Sequence, residues 1–102
     1  MKLVKKIVKQ INEELEGAEK YIECASKYKE EYPTIANMYY EMSLTEMTHV
    51  DKLHNAVVSL INEMKAKGVE IDPTMMAIYN YEHEKAVEEA TEIKVMQEMY
   101  KK

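Results

Sequence analysis

The chain has 102 residues, 46% hydrophobic and 32% charged, with two glycines and two prolines. That length builds one domain with a real core and leaves no room for two. A net charge of −5 argues against nucleic acid as a partner, and no apolar run reaches the roughly 18 residues that a membrane span needs.

The first nine residues, Met1 to Lys9, are basic and amphipathic. They lack a continuous apolar region and a small-residue cleavage site, so they read as the opening turns of a helix rather than as a signal peptide. Four lysines and no acid fall in the first ten residues, leaving about −9 over the remainder, a balance compatible with attracting cations. Val4, Ile7, Ile11, Ala18, Tyr21, Ala25 and Tyr28 recur at helical spacing and predict a first helix over about 2–31. The single cysteine, Cys24, has no internal disulfide partner and no base beside it. It is expected to be a small buried residue of a protein in a reducing, cytoplasmic compartment.

Pro33 marks the first break, because proline suits the first turn of a helix and pushes its predecessor out of helical geometry. Ile35, Met38, Met42, Leu53, Ala56, Val57, Leu60 and Met64 then predict a second helix over about 33–66. Lys65, Lys67 and Gly68 supply the cations and the helix-stopping glycine that end it. After a short loop, Asp72 is a good N-cap and Pro73 a good first helical residue. The third helix is expected over about 74–101, with Met76, Tyr79, Ala86, Ala90, Ile93 and Tyr100 along its inner stripe. The pattern predicts a single all-α domain, residues 1–102, in which the first two helices form a long antiparallel hairpin. Its stripes carry methionine and tyrosine in place of phenylalanine and tryptophan, which suggests a core with polar edges. Met75, Met76, Met96 and Met99 read as flexible packing. Broad apolar faces on such long helices predict self-association into a homodimer or a higher homo-oligomer. Two hairpins would pair into a four-helix bundle with the third helix along its side.

Three polar residues fall on these stripes. Glu46 and His49 stand three apart on the second helix and share a face. Glu14 interrupts the stripe of the first helix. It lies roughly 18 residues before the turn, and Glu46 and His49 lie roughly 13 to 16 after it, so at about 1.5 Å per residue the levels differ by only a few ångströms. One hairpin then offers two carboxylates and an imidazole, and a two-fold dimer offers twice that. Carboxylates and imidazoles suit iron, and manganese or zinc as well. One glutamate on each of two helices, with Glu-x-x-His on each of two others, is the ligand set of a di-iron carboxylate site. The competing reading is a satisfied polar network or an exposed dimer edge. By contrast Glu13, Glu16, Glu23, Glu30 and Glu31 read as a solvated face. His83 sits on the inner stripe of the third helix, either as a hydrogen-bonded core residue or as a further metal ligand; His54 is expected at the surface.

The segment Glu13 to Tyr21 is similar to the first helix of the encapsulated ferritins, in which a glutamate and a tyrosine seven residues later precede a Glu-x-x-His helix. The spacing of Glu14, Gly17, Tyr21 and Ala25 resembles the rubrerythrin pattern, and Ile35 through His49 resembles the second rubrerythrin helix. Over roughly residues 10–60 the chain therefore resembles the ferritin-like superfamily. It departs from the full-length members, since the third helix carries no second Glu-x-x-His, and no cargo-tail-like extension follows that helix. Nor do these residues hold the four cysteines of a rubredoxin-like domain. The half-sized, encapsulated-ferritin type is the better match. That resemblance implies Glu14, Glu46 and His49 as iron ligands, Tyr21 beside the metal, and two irons per dimer. It implies oxidation of Fe(II) by O2 or peroxide, in iron handling or oxidative-stress protection. The alternatives are a rubrerythrin-like peroxide reductase and a non-catalytic helical interaction or adaptor protein with a structural metal or none.

Overall fold

Two prolines open two of the three helices. In the computed structural model, which describes residues 2–102, α1 runs Lys2–Tyr28, α2 Pro33–Ala66 and α3 Pro73–Lys101, with no strand among the described residues. The molecule measures 56 × 19 × 18 Å. Its long axis is set by α2, whose 34 residues span roughly 50 Å at about 1.5 Å each.

The α1–α2 junction has almost no loop. Tyr32 has left helical geometry (φ −135°, ψ 67°), as the clash with a following proline favours. Its N–H donates to the Tyr28 carbonyl at 2.9 Å, and its own carbonyl accepts from the Ala36 N–H at 2.8 Å. α1 thus ends three residues before the expected 31, and residues 29–31 form the turn. Lys29 in that turn donates from Nζ to the Tyr100 carbonyl and lies 5.0 Å from the centre of the Tyr100 ring. A cation at the last turn of α3 is where the helix dipole favours one.

The second junction follows the glycine rule. Gly68 has φ +71°, the left-handed region that side chains rarely adopt. Its N–H donates to the Lys65 carbonyl and the Val69 N–H to the Met64 carbonyl, which satisfies the last carbonyls of α2. Asp72 Oδ1 accepts from the Thr74 N–H at 2.7 Å and caps α3, which starts at Pro73 itself.

The core is a single seam. α1 contributes Val4, Ile7, Ile11, Leu15, Ala18, Ile22 and Ala25; α2 contributes Ala36, Ser43, Met47, Val50, Val57 and Ile61; α3 contributes Ile93 and Gln97. Leu15, Ile22 and Ile93 are fully buried, each worth about 1.5–3 kcal/mol of transfer free energy. On α1 the predicted Val4, Ile7, Ile11, Ala18 and Ala25 are buried, and on α3 so is Ile93, but on α2 the seam corrects the predicted stripe by one residue, or about 100° of helix rotation. On α2, Ser43, Met47, Val50 and Ile61 are buried where Met42, Glu46, His49 and Leu60 were expected, while Val57 is buried as expected. On α1, Leu15 and Ile22 are buried, whereas Glu14 and Tyr21 are half-buried. The reason is size. Ala18, Ala25, Ala36 and Ser43 have no exposed surface at all, so the two helices approach along their smallest residues. Glu14, Glu46 and His49 therefore flank the core instead of interrupting it. Around them Met42, Leu53, Ala56, Leu60 and Met64 are half-buried, and Ile35 and Met38 are exposed. Cys24, expected to be buried, is also half-buried. No described helix is long and apolar enough to cross a membrane.

Candidate metal centre

Contacts between α1 and α2 step along one helix as they retreat along the other. The Tyr21 ring stacks on Tyr39 with centroids 6.1 Å apart, Ser43 Oγ donates to the Ala18 carbonyl at 2.7 Å, and His49 meets Glu14. This order brings the three sequence-predicted ligands together. His49 Nδ1 lies 3.4 Å from Glu14 Oε2 and 3.7 Å from Glu46 Oε1. One ligand atom from each of the three falls within 4.8 Å of the others. Their side chains are 29% (Glu14), 23% (Glu46) and 45% (His49) exposed, so the group is sheltered on one side and open on the other.

The donor set fits a divalent cation. Ligand atoms about 2.1 Å from one ion are separated by roughly 3.0–3.4 Å, and the shorter imidazole–carboxylate spacing already falls there. Electrostatics point the same way. The Glu46 carboxyl is held above its ordinary range, first by its hydrogen bond with Glu14, then by burial and by the Glu14 charge, with His49 opposing. Two carboxylates pressed together either share a proton or share a cation.

Gly17 makes the space. A Cβ added there would lie 3.2 Å from Glu46 Oε2 and 3.8 Å from Glu46 Cγ, so the Glu46 side chain rests against bare backbone. An interior helical glycine is a signal legible in the sequence, since it costs about 1 kcal/mol relative to alanine and needs a reason.

Tyr21 stands one helical turn beyond Gly17 on α1, half-buried against Tyr39. His83 is not part of the three-residue group. It stacks on His54 at 5.0 Å and on Tyr79 at 6.0 Å, and lines a cavity of about 210 Å³ with Val8, Ile11 and Val50. His54 is correspondingly half-buried in that cavity, not at the surface as expected. The periodicity of one helix does not reveal such a pairing, because its partner belongs to another helix.

Two residues that sequence reasoning passed over are the buried polar ones among the described residues. Ser43 is fully buried and Gln97 is 6% exposed, and Gln97 Nε2 donates to Ser43 Oγ at 2.9 Å. A serine one turn before Glu46 was the available signal. No protein-family model, characterised protein or solved structure matches the chain.

Proposed function

We propose that the chain is an iron-binding, ferritin-like protein in which two copies build a di-iron carboxylate centre and oxidise Fe(II) with O2 or peroxide. The observation that carries this reading is the convergence of Glu14, Glu46 and His49 within 4.8 Å. Glu14 and Glu46 hold and neutralise the cations, and His49 supplies the nitrogen ligand that favours iron over a purely oxygen-binding ion. When bound, iron supplies the redox chemistry by passing electrons to the oxidant. The chain's own part is to aim three donors at one point and to keep one side open. Tyr21, half-buried against Tyr39 two turns along α1 from Glu14, is the tyrosine that this reading sets beside the metal. Chemistry of this kind would serve iron handling or protection from oxidative stress.

The order of the α1–α2 contacts supports an antiparallel hairpin. The shared centre rests on stoichiometry and on surface. One chain brings two carboxylates and one imidazole, which suffices for one cation but not two. The half-covered stripe of Met42, Leu53, Ala56 and Leu60 beside the ligands is the apolar area that a second hairpin would cover, completing a four-helix bundle.

Anaerobic Fe(II) titration followed by exposure to air tests the proposal. Expected are about two irons per dimer, oxidation on aeration, and loss of both in Glu46→Ala. Wild-type protein that binds no iron, or a Glu46→Ala variant that binds as wild type, sinks it. A monomer at micromolar concentration sinks the shared centre. Faster turnover with H2O2 than with O2 would assign the rubrerythrin-like peroxide chemistry.

One observation favours a second reading. His49 Nδ1 lies 3.4 Å from Glu14 Oε2 and 3.7 Å from Glu46 Oε1, so the three side chains have polar partners in one another without any ion. A non-catalytic helical interaction protein would use them as a polar edge. It predicts dimers indifferent to chelators and no iron oxidation.

A further inference from the structure

Ser43 and Gln97 form a relay of fixed polarity that crosses all three helices. The Ser43 hydroxyl has one proton, and the 2.7 Å contact to the Ala18 carbonyl commits it there, since a carbonyl can only accept. The lone pairs of Ser43 then face Gln97, so the group 2.9 Å away must be the amide N–H donor. The direction runs from the α3 amide to the α2 hydroxyl to the α1 carbonyl.

The relay lies at the level of the candidate centre. Ala18 follows Gly17, the residue against which Glu46 rests. Ser43 precedes Glu46 by three residues, one turn along α2. Both ends of the Gly17–Glu46 contact are thus within a turn of a buried directional bond. Beside them the α1–α2 seam consists of alanines and aliphatic side chains, whose packing is non-directional. Slipping α1 by one residue along α2 would move Glu14 by about 1.5 Å and turn it by about 100°. The relay opposes such a slip, because displacing it leaves the hydroxyl of fully buried Ser43 and the amide of buried Gln97 without partners.

We infer that Ser43 and Gln97 are positioning residues of the Glu14/Glu46/His49 centre, and that α3 serves as the brace fixing the register of the two ligand-bearing helices. The functional part of this inference rests on the metal-binding reading. The geometric part stands without metal.

The test uses the full chain with Ser43→Ala and Gln97→Leu combined, which removes both polar groups while keeping the buried volume close to filled. Two measurements separate the claims. In metal-free wild-type protein, NMR should show an NOE between the Gly17 α-protons and the Glu46 γ-protons, and the double variant should lose it while keeping its helical content. Co(II), a spectroscopic probe for this donor set, should bind the wild type and bind the double variant ~10–100-fold more weakly, with an altered visible spectrum. Ser43→Thr, which keeps the hydroxyl, should retain the wild-type spectrum, and a role confined to stability would not distinguish the two variants in this way. An NOE and a Co(II) affinity both preserved in the folded double variant overturn the inference. If the double variant does not fold, Gln97→Met is read by the same two criteria. Wild-type protein that shows the NOE but binds no Co(II) refutes the metal-binding reading, while loss of the NOE in the variant still establishes the brace.

Discussion

Gly17→Ala should make the protein more stable and its candidate metal site worse. Gly17 is helical and half-buried, so alanine there gains about 1 kcal/mol from backbone entropy. Against this stands a Cβ 3.2 Å from Glu46 Oε2, tighter than ordinary contact. The atom in the way is the far end of a flexible side chain with one open flank, so Glu46 yields by a few tenths of an ångström at little cost. The metal-free variant should therefore gain most of that 1 kcal/mol, or ~4–8 °C in Tm for a domain of this size. The same displacement moves one candidate ligand oxygen away from the point it shares with Glu14 and His49 and uses up much of the about 0.5 Å that sites of this kind tolerate, so the metal affinity should fall modestly. Thermal circular dichroism of the apo-protein and anaerobic Fe(II) titration measure the two effects separately. A destabilised variant would show that Glu46 cannot step aside. A stabilised variant with undiminished iron affinity would refute Gly17 as the seat of a ligand.

The pH dependence of the metal-free protein has a definite sign. Glu46 and Glu89 both titrate above the ordinary 4.5, Glu46 chiefly through its hydrogen bond with Glu14 and Glu89 chiefly through burial, with Glu19, Glu16 and Glu92 adding to it. A carboxyl whose folded pKa is raised contributes stability that is fully present below the unfolded value and lost as pH rises through the folded one. Urea midpoints of Glu46→Gln should thus gain on wild type as pH climbs from about 4.5, and a constant difference would contradict the assigned cause. Leu15→Ala empties a fully buried site and should cost 2–5 kcal/mol, a large share of the ~5–15 kcal/mol typical of a domain; a loss below 1 kcal/mol in urea unfolding would misplace the core. Asp72→Ala removes the α3 cap and should cost about 1 kcal/mol, read as a lower Tm with the metal affinity unchanged.

What the amino-acid order determined is the linear part of the structure. Pro33, Gly68, Asp72 and Pro73 act through their own backbone and nearest neighbours, so three helices and their ends were legible to within about three residues. The meeting of Glu14 with Glu46 and His49 was legible too, because it needs only the 1.5 Å rise and a near-loopless turn. The rotation of α2 was decided elsewhere. α2 carries two adjacent stripes one residue apart, both apolar enough to face a core, and periodicity cannot rank them. Packing ranks them, because Ala18, Ala25, Ala36 and Ser43 allow the closest approach, and that choice moves the candidate ligands from the core to its edge. The Ser43–Gln97 relay and the His54–His83 stack belong to the same class. Each joins residues of different helices through distances that exist only after the three helices have packed.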